Sequence, residues 1–333
     1  MNFDLSTAQR IVFGPDKVKE APSIILTFGS RVLLVSGRSN LDTQAVMRKE
    51  LTDRGAEVFH FGTSTEEPTI QAAEDGATIA KQTNCDLVIG FGGGSSLDLA
   101  KAIAALAANP GSALDYLEVV GKGQPLANPP LPVIAIPTSA GTGTEVTRNA
   151  VLTDPKTKIK ASLRHSMMIP KVAIIDPALT VSMPKDVTAA TGMDALTQLI
   201  EPYLSNSPND FTDMLCVEGI KRVGRSLEVA WATPSNLAAR ADMSYAALLS
   251  GMALANAKLG AVHGFAGPVG AMFSAPHGVL CARFLAPVLE ENFNESQEQN
   301  EPNSFQSLQQ AECPTVVTPP QHQAYVRQPH LVG

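Results

Sequence analysis

No stretch of this chain is strongly basic, and none stays apolar for the roughly 18–20 residues that a bilayer-spanning helix needs. Lys and Arg number 25 against 32 Asp and Glu, a net charge of −7. That balance argues against nucleic acid as a partner, and the missing apolar run argues against a membrane. The opening MNFDLSTAQRIVFG has no charged stretch followed by an apolar one, so no secretory signal is read there. Cysteine is scarce: Cys85, Cys216, Cys281 and Cys313 lie far apart and form no CxxC. Reduced thiols in a cytoplasmic protein are the simple reading. Aromatic residues make up 5% with a single Trp, which disfavours stacking platforms.

What the chain does have is glycine at the ends of apolar runs. Residues 86–101 read DLVIGFGGGSSLDLAK: a buried strand, three glycines, two serines, then a helical pattern. Glycines without Cβ let main-chain N–H groups approach a phosphate, and the new helix aims its positive end at the same place. The segment lacks the GxGxxG spacing, so a ligand-free turn is the other reading of the same residues. Further strands are expected at 31–37 (RVLLVSG), 57–62 (EVFHFG) and 132–138 (PVIAIPT), with amphipathic helices over 43–55 and 69–84. Strands alternating with helices predict a parallel, helix-covered sheet, whose ligands lie beyond the carboxyl ends of its strands. SGRSN (36–40), GGGSS (92–96) and PTSAGTGTE (137–145) all fall at such ends.

From about Pro184 the pattern turns helical throughout. The expected division is an α/β nucleotide-binding domain over 1–180 and a helical domain over 181–294, with the boundary near DPALTVSMP (176–184). Residues 295–333 hold eight glutamines, five prolines and no lysine, and no period survives there. They read as a disordered tail, and the helical pattern breaking off after FLAPVLEENF reads as truncation or a changed reading frame.

Within the helical part, Asp194 and Gln198 stand at i and i+4 and project from one helix face. His263 and His277 are fourteen residues apart, each followed by glycine. An Asp, a side-chain carbonyl and two imidazoles make a four-donor set suited to divalent Fe or Zn. Two satisfied core histidines and a capping Asp are the alternative account.

Taken together, GGGSSLDLAK, IPTSAGTGTEVT, DPALTVSMP, TGMDALTQLIEP and VHGFAGPVGAMFSAPHG resemble the iron-containing (group III) alcohol dehydrogenase family over about residues 8–293. The resemblance implies a Rossmann-like parallel α/β domain, an all-α domain and a catalytic divalent metal, Fe2+ or Zn2+, between them. It implies NAD or NADP as cofactor, a small alcohol or carbonyl as substrate, and a possible homodimer. Gly92, Gly93, Gly94 and Ser95 match the pyrophosphate loop, which Asp98 and Lys101 complete. Thr138, Ser139 and Thr142 match the second cofactor loop. Thr147, Lys160 and Leu179 fall where the family touches nucleotide or ribose. Asp194, His263 and His277 match three metal ligands and carry the catalytic role.

Three departures stand out. Gln198 occupies the fourth ligand position, usually His. Gly267 stands where the family often has a relay histidine. After strand 31–37, Gly37 and Arg38 replace an Asp that would repel a 2′-phosphate, which favours NADP. The resemblance also admits a metal-free oxo-acid reductase of the maleylacetate type and a non-catalytic nucleotide-binding remnant.

Overall fold

Six strands pair as one wholly parallel sheet in the order β1-β8-β5-β4-β2-β3. The strands are β1 (Arg10–Phe13), β2 (Arg31–Ser36), β3 (Glu57–Gly62), β4 (Leu87–Gly92), β5 (Val133–Pro137) and β8 (Val172–Ile175). The structure is a computed structural model, described here for residues 3–63, 67–155, 157–206 and 209–298. β4 and β5 are buried along their whole length, which is why they read as unbroken apolar runs rather than alternating ones. Helices α1 (Ala21–Ile25), α2 (Leu41–Asp53), α3 (Ile70–Gln82), α4 (Gly94–Ala108) and α5 (Ala113–Tyr116) accompany the sheet.

Register places the glycine-rich loops together. Ser36 pairs with Phe91, and Gly92 with Pro137. The chain therefore leaves β2, β4 and β5 at one level, and the three expected loops are neighbours. β1, β8 and the antiparallel hairpin of β6 (Asn149–Asp154) and β7 (Ile159–Arg164) were not among the expected strands. β1 and β8 are four residues each, too short for a period to show. β6 and β7 bury alternate residues, with Ala150, Leu152, Ala161 and Leu163 joining the core that α4 also lines.

The rest of the described chain is helical: α6 (Lys185–Tyr203), α7 (Asp210–Ala232), α8 (Leu237–Asn256), α9 (Ala261–Phe273) and α10 (His277–Glu298). Leu199, Ile220, Val223, Met243, Ala246 and Val262 form its core. α10 runs four residues into the segment read as a tail, and residues 299–333 lie outside the described residues. Among the described residues no single helix is long and apolar enough to cross a membrane.

The turn after β5 carries a buried acid. Burial pushes the Glu145 carboxyl up to about 7 from its ordinary 4.5, against the pull of its own backbone N–H and of Lys101. The fold thus favours the protonated form. Its stabilising effect is complete below pH 4.5 and is lost as pH rises through about 7. The unfolding free energy from urea titration should decline across that window, by up to roughly 3 kcal/mol. Glu145→Gln should flatten the decline, and an equal decline in the variant would sink the assignment.

Candidate metal and nucleotide site

The loop between β4 and α4 is shaped by what its glycines leave out. Gly92 has φ +154°, and a Cβ there would meet Ser96 Oγ at 2.5 Å. A Cβ on Gly94 would lie 2.9 Å from Thr142 Oγ1, and one on Gly93 would lie 3.4 Å from Ser139 Oγ. The two expected cofactor loops therefore face each other at closest approach. Ser39 Oγ and Thr138 Oγ1 are 3.1 Å apart, joining the loop after β2 to the loop after β5. Gly37 sits opposite Thr63 and Ser96, and Arg38 is exposed beside it. The fifteen-residue α4 points its N-terminus, beginning at Gly94 and Ser95, at this junction.

Five of the residues expected at the cofactor also have partners within the chain. Asp98 is buried: its Oδ1 lies 3.1 Å from Lys101 Nζ, and its Oδ2 accepts from Val151 N. Lys101 Nζ also donates to Thr144 O and Thr147 Oγ1, each at 3.1 Å. Asp98, Lys101 and Thr147 thus form an internal cluster tying α4 to β6 and the turn before it. Burial pushes the Asp98 carboxyl up and the Lys101 ammonium down, with each charge opposing the shift of the other. Leu179 packs its side chain into the core, while its carbonyl accepts from Asn40 Nδ2 at 3.0 Å. Lys160, on β7, pairs with Glu67 at 2.7 Å and lies close enough to His277 to act on its charge.

Three helices bring the metal-type residues together. Asp194 comes from the middle of α6, His263 from the first turn of α9, and His277 from the start of α10. Asp194 Oδ1 is 3.4 Å from His263 Nε2 and 3.6 Å from His277 Nε2. Cys281 completes the group, with one ligand atom from each of the four residues within 4.8 Å of the others. Sequence reasoning set Cys281 aside as a plain reduced thiol. It stands four residues after His277 on one helix, so the i, i+4 pairing was present.

Glu201 is the second residue missed. It is buried in the last turn of α6. Its Oε1 accepts from Val262 N at 2.7 Å, capping α9, and its Oε2 is bonded to His263 Nδ1. A carboxylate only accepts, so Nδ1 carries the proton and Nε2 is left facing Asp194. Burial acts to lower the His263 pKa, but bonds with Asp194, Cys281 and Glu201 outweigh it and raise it to about 12. Burial raises the Asp194 carboxyl, yet the two imidazoles and the Cys281 thiol bring it below its usual range. Burial holds His277 down and the Cys281 thiol up. Two buried carboxylates flank one imidazole and call for positive charge, and the surrounding donors are nitrogen, oxygen and sulfur. The residues fit a divalent metal ion.

Gln198 is held through its amide nitrogen. Its Nε2 donates to Thr142 O at 2.9 Å and to Ser250 Oγ at 3.1 Å. A main-chain carbonyl accepts only, which fixes the amide orientation. Gln198 therefore ties the metal-bearing α6 to the second cofactor loop. At Gly267 an added Cβ would meet nothing within 4 Å.

The family model described as "Iron-containing alcohol dehydrogenase" matches residues 8–177. "Fe-containing alcohol dehydrogenase family, C-terminal" matches 188–311, extending into the segment read as a tail. The chain is 37% identical to the 1,3-propanediol dehydrogenase of Citrobacter freundii over 295 residues, covering 87% of this chain and 75% of that one. It is 35% identical to the NAD-dependent methanol dehydrogenase of Bacillus methanolicus over 271 residues, covering 80% and 70%. A crystal structure of 1,3-propanediol oxidoreductase superposes with a TM-score of 0.84 at 34% identity, covering 93% of this chain and 80% of that one.

Proposed function

The chain belongs to the iron-containing alcohol dehydrogenase family, oxidoreductases acting on CH–OH donors, and from that premise we propose a metal-assisted, NAD(P)-dependent interconversion of a small alcohol and its carbonyl compound. The observation that carries the reading is the convergence of Asp194, His263 and His277 beside the loop that Gln198 anchors. When bound, the nicotinamide accepts or returns the hydride and the divalent metal polarises the substrate oxygen. The residues supply position and charge. Gly92, Gly93, Gly94 and Ser95 cradle the pyrophosphate at the start of α4. Ser139 and Thr142 wall the opposite side. Asp194, His263 and His277 hold the metal, with Glu201 fixing the His263 tautomer. No imidazole stands at position 267, so the alcohol proton would have to leave through another group, water or a ribose hydroxyl.

Arg38 supplies an exposed guanidinium, and no acid stands beside it at Gly37, where a 2′-phosphate would lie. NADP(H) should therefore be accepted at least as well as NAD(H). Fluorescence titration of both reduced cofactors measures this, and a strong preference for NADH refutes it. The function is tested by turnover of short alcohols and 1,3-propanediol with each cofactor, with and without added Fe2+ or Zn2+ and a chelator. Chelator-sensitive turnover supports the reading. Turnover that survives the chelator points instead to a metal-free oxo-acid reductase, and cofactor binding without turnover to a nucleotide-binding remnant.

A further inference from the structure

We propose that Cys281 is the fourth metal ligand of this chain, in preference to the amide oxygen of Gln198, and that the thiolate turns the site toward zinc rather than iron. The proposal rests on the metal reading above. Its ground is geometric. Cys281 Sγ lies 3.5 Å from Asp194 Oδ1, 3.7 Å from His277 Nε2 and 4.0 Å from His263 Nε2. The Asp194 edges to the two imidazoles are 3.4 and 3.6 Å. A tetrahedral ion with bonds of about 2.0–2.3 Å separates its ligand atoms by about 3.3–3.6 Å. Of the six edges of such a set, four are within about 0.1 Å of that range, a fifth exceeds it by about 0.4 Å, and the sixth, between the two imidazoles, is within 4.8 Å. The sulfur is buried and aimed at the cluster rather than at solvent.

Gln198 can offer only its amide oxygen. Both N–H groups of its amide are used on Thr142 O and Ser250 Oγ, which hold it to the loop and to α8. A neutral amide oxygen is also a weaker ligand for these ions than a thiolate or an imidazole. One carboxylate, two imidazoles and one thiolate form a mixed set softer than one carboxylate with three imidazoles, and softness favours zinc. Binding then releases the thiol proton to solvent, since only the thiolate ligates.

The full chain, stripped of metal and titrated with Co2+ alone, tests this directly. One equivalent should bind and give a near-ultraviolet thiolate-to-cobalt charge-transfer band. Cys281→Ser should abolish the band. It should also weaken Zn2+ in chelator competition by more than the roughly 10–100-fold that loss of a supporting hydrogen-bond partner costs. Gln198→Ala should keep the band, and so should Cys313→Ser, which controls for the cysteine outside the described residues. Co2+ bound without the band, or a band that survives Cys281→Ser, overturns the proposal while leaving the metal reading standing. No Co2+ binding by the unaltered chain overturns both.

Discussion

Asp194→Ala should strip the chain of bound metal and lower kcat by on the order of 10³-fold or more, while leaving nucleotide affinity nearly unchanged. Lewis-acid polarisation is worth several kcal/mol of barrier, and each 1.36 kcal/mol is about tenfold in rate. Asp194 lies within reach of both imidazoles and the thiol, so its removal opens three edges of the cluster at once. His263 keeps its bond to Glu201, so the ring does not lose its orientation. The nucleotide loops have no hydrogen bond to Asp194. Their tie to α6 runs through Gln198, one helical turn away, which the substitution leaves in place. Elemental analysis, cofactor fluorescence titration and single-turnover kinetics separate the three quantities. Retained turnover in a variant with no metal would return the assignment to the metal-free oxo-acid reductase.

The centre of the parallel sheet was legible because β2, β4 and β5 are buried almost throughout and run into glycine-bearing loops at one end. Both properties are local and need no partner to be seen. Burial direction was not legible. Asp98 and Thr147 sit within motif-like segments, yet their side chains point away from the loops they follow, into a cluster closed by Lys101. The metal group shows the same limit from the other side. His277 and Cys281 share a helix face at the same spacing as Asp194 and Gln198. The absence of a CxxC drew attention from the thiol, because pairing rules for cysteine weigh neighbouring cysteines rather than histidines. Glu201 carried a signal that went unused. A carboxylate in the last turn of a helix opposes the macrodipole, so its presence in LIEP asks for a compensating partner. The start of α9 and the His263 ring supply that partner. Both misses are long-range contacts between helices that lie some 60 to 90 residues apart in sequence.

Gly251→Val should destabilise the chain by several kcal/mol and slow hydride transfer by about a hundredfold in the protein that still folds. Gly251 lies on α8 against Gly143 in the second cofactor loop. A Cβ at 251 would lie 2.3 Å from Gly143 O and 2.7 Å from Gly143 Cα. Those are backbone atoms and cannot swing aside, and Gly143 holds φ +59°, a conformation that glycine adopts freely. The loop and α8 must therefore part. Ser250, the preceding residue, lies 3.2 Å from Gly141 O and accepts from Gln198 at 3.1 Å. Parting them disturbs the link between the nucleotide loop and the metal-bearing helix, which is where a shift of about 1 Å between hydride donor and acceptor costs about 10²-fold. Gly264→Ala is the contrasting case. Gly264 is also helical, yet its added Cβ would meet nothing within 4 Å, so the better helix propensity of alanine should stabilise by up to about 1 kcal/mol. Urea unfolding of both variants gives the signs, and single-turnover kinetics on Gly251→Val gives the rate. A Gly251→Val protein as stable and as fast as the unaltered chain would mean that the loop and α8 do not meet at this contact.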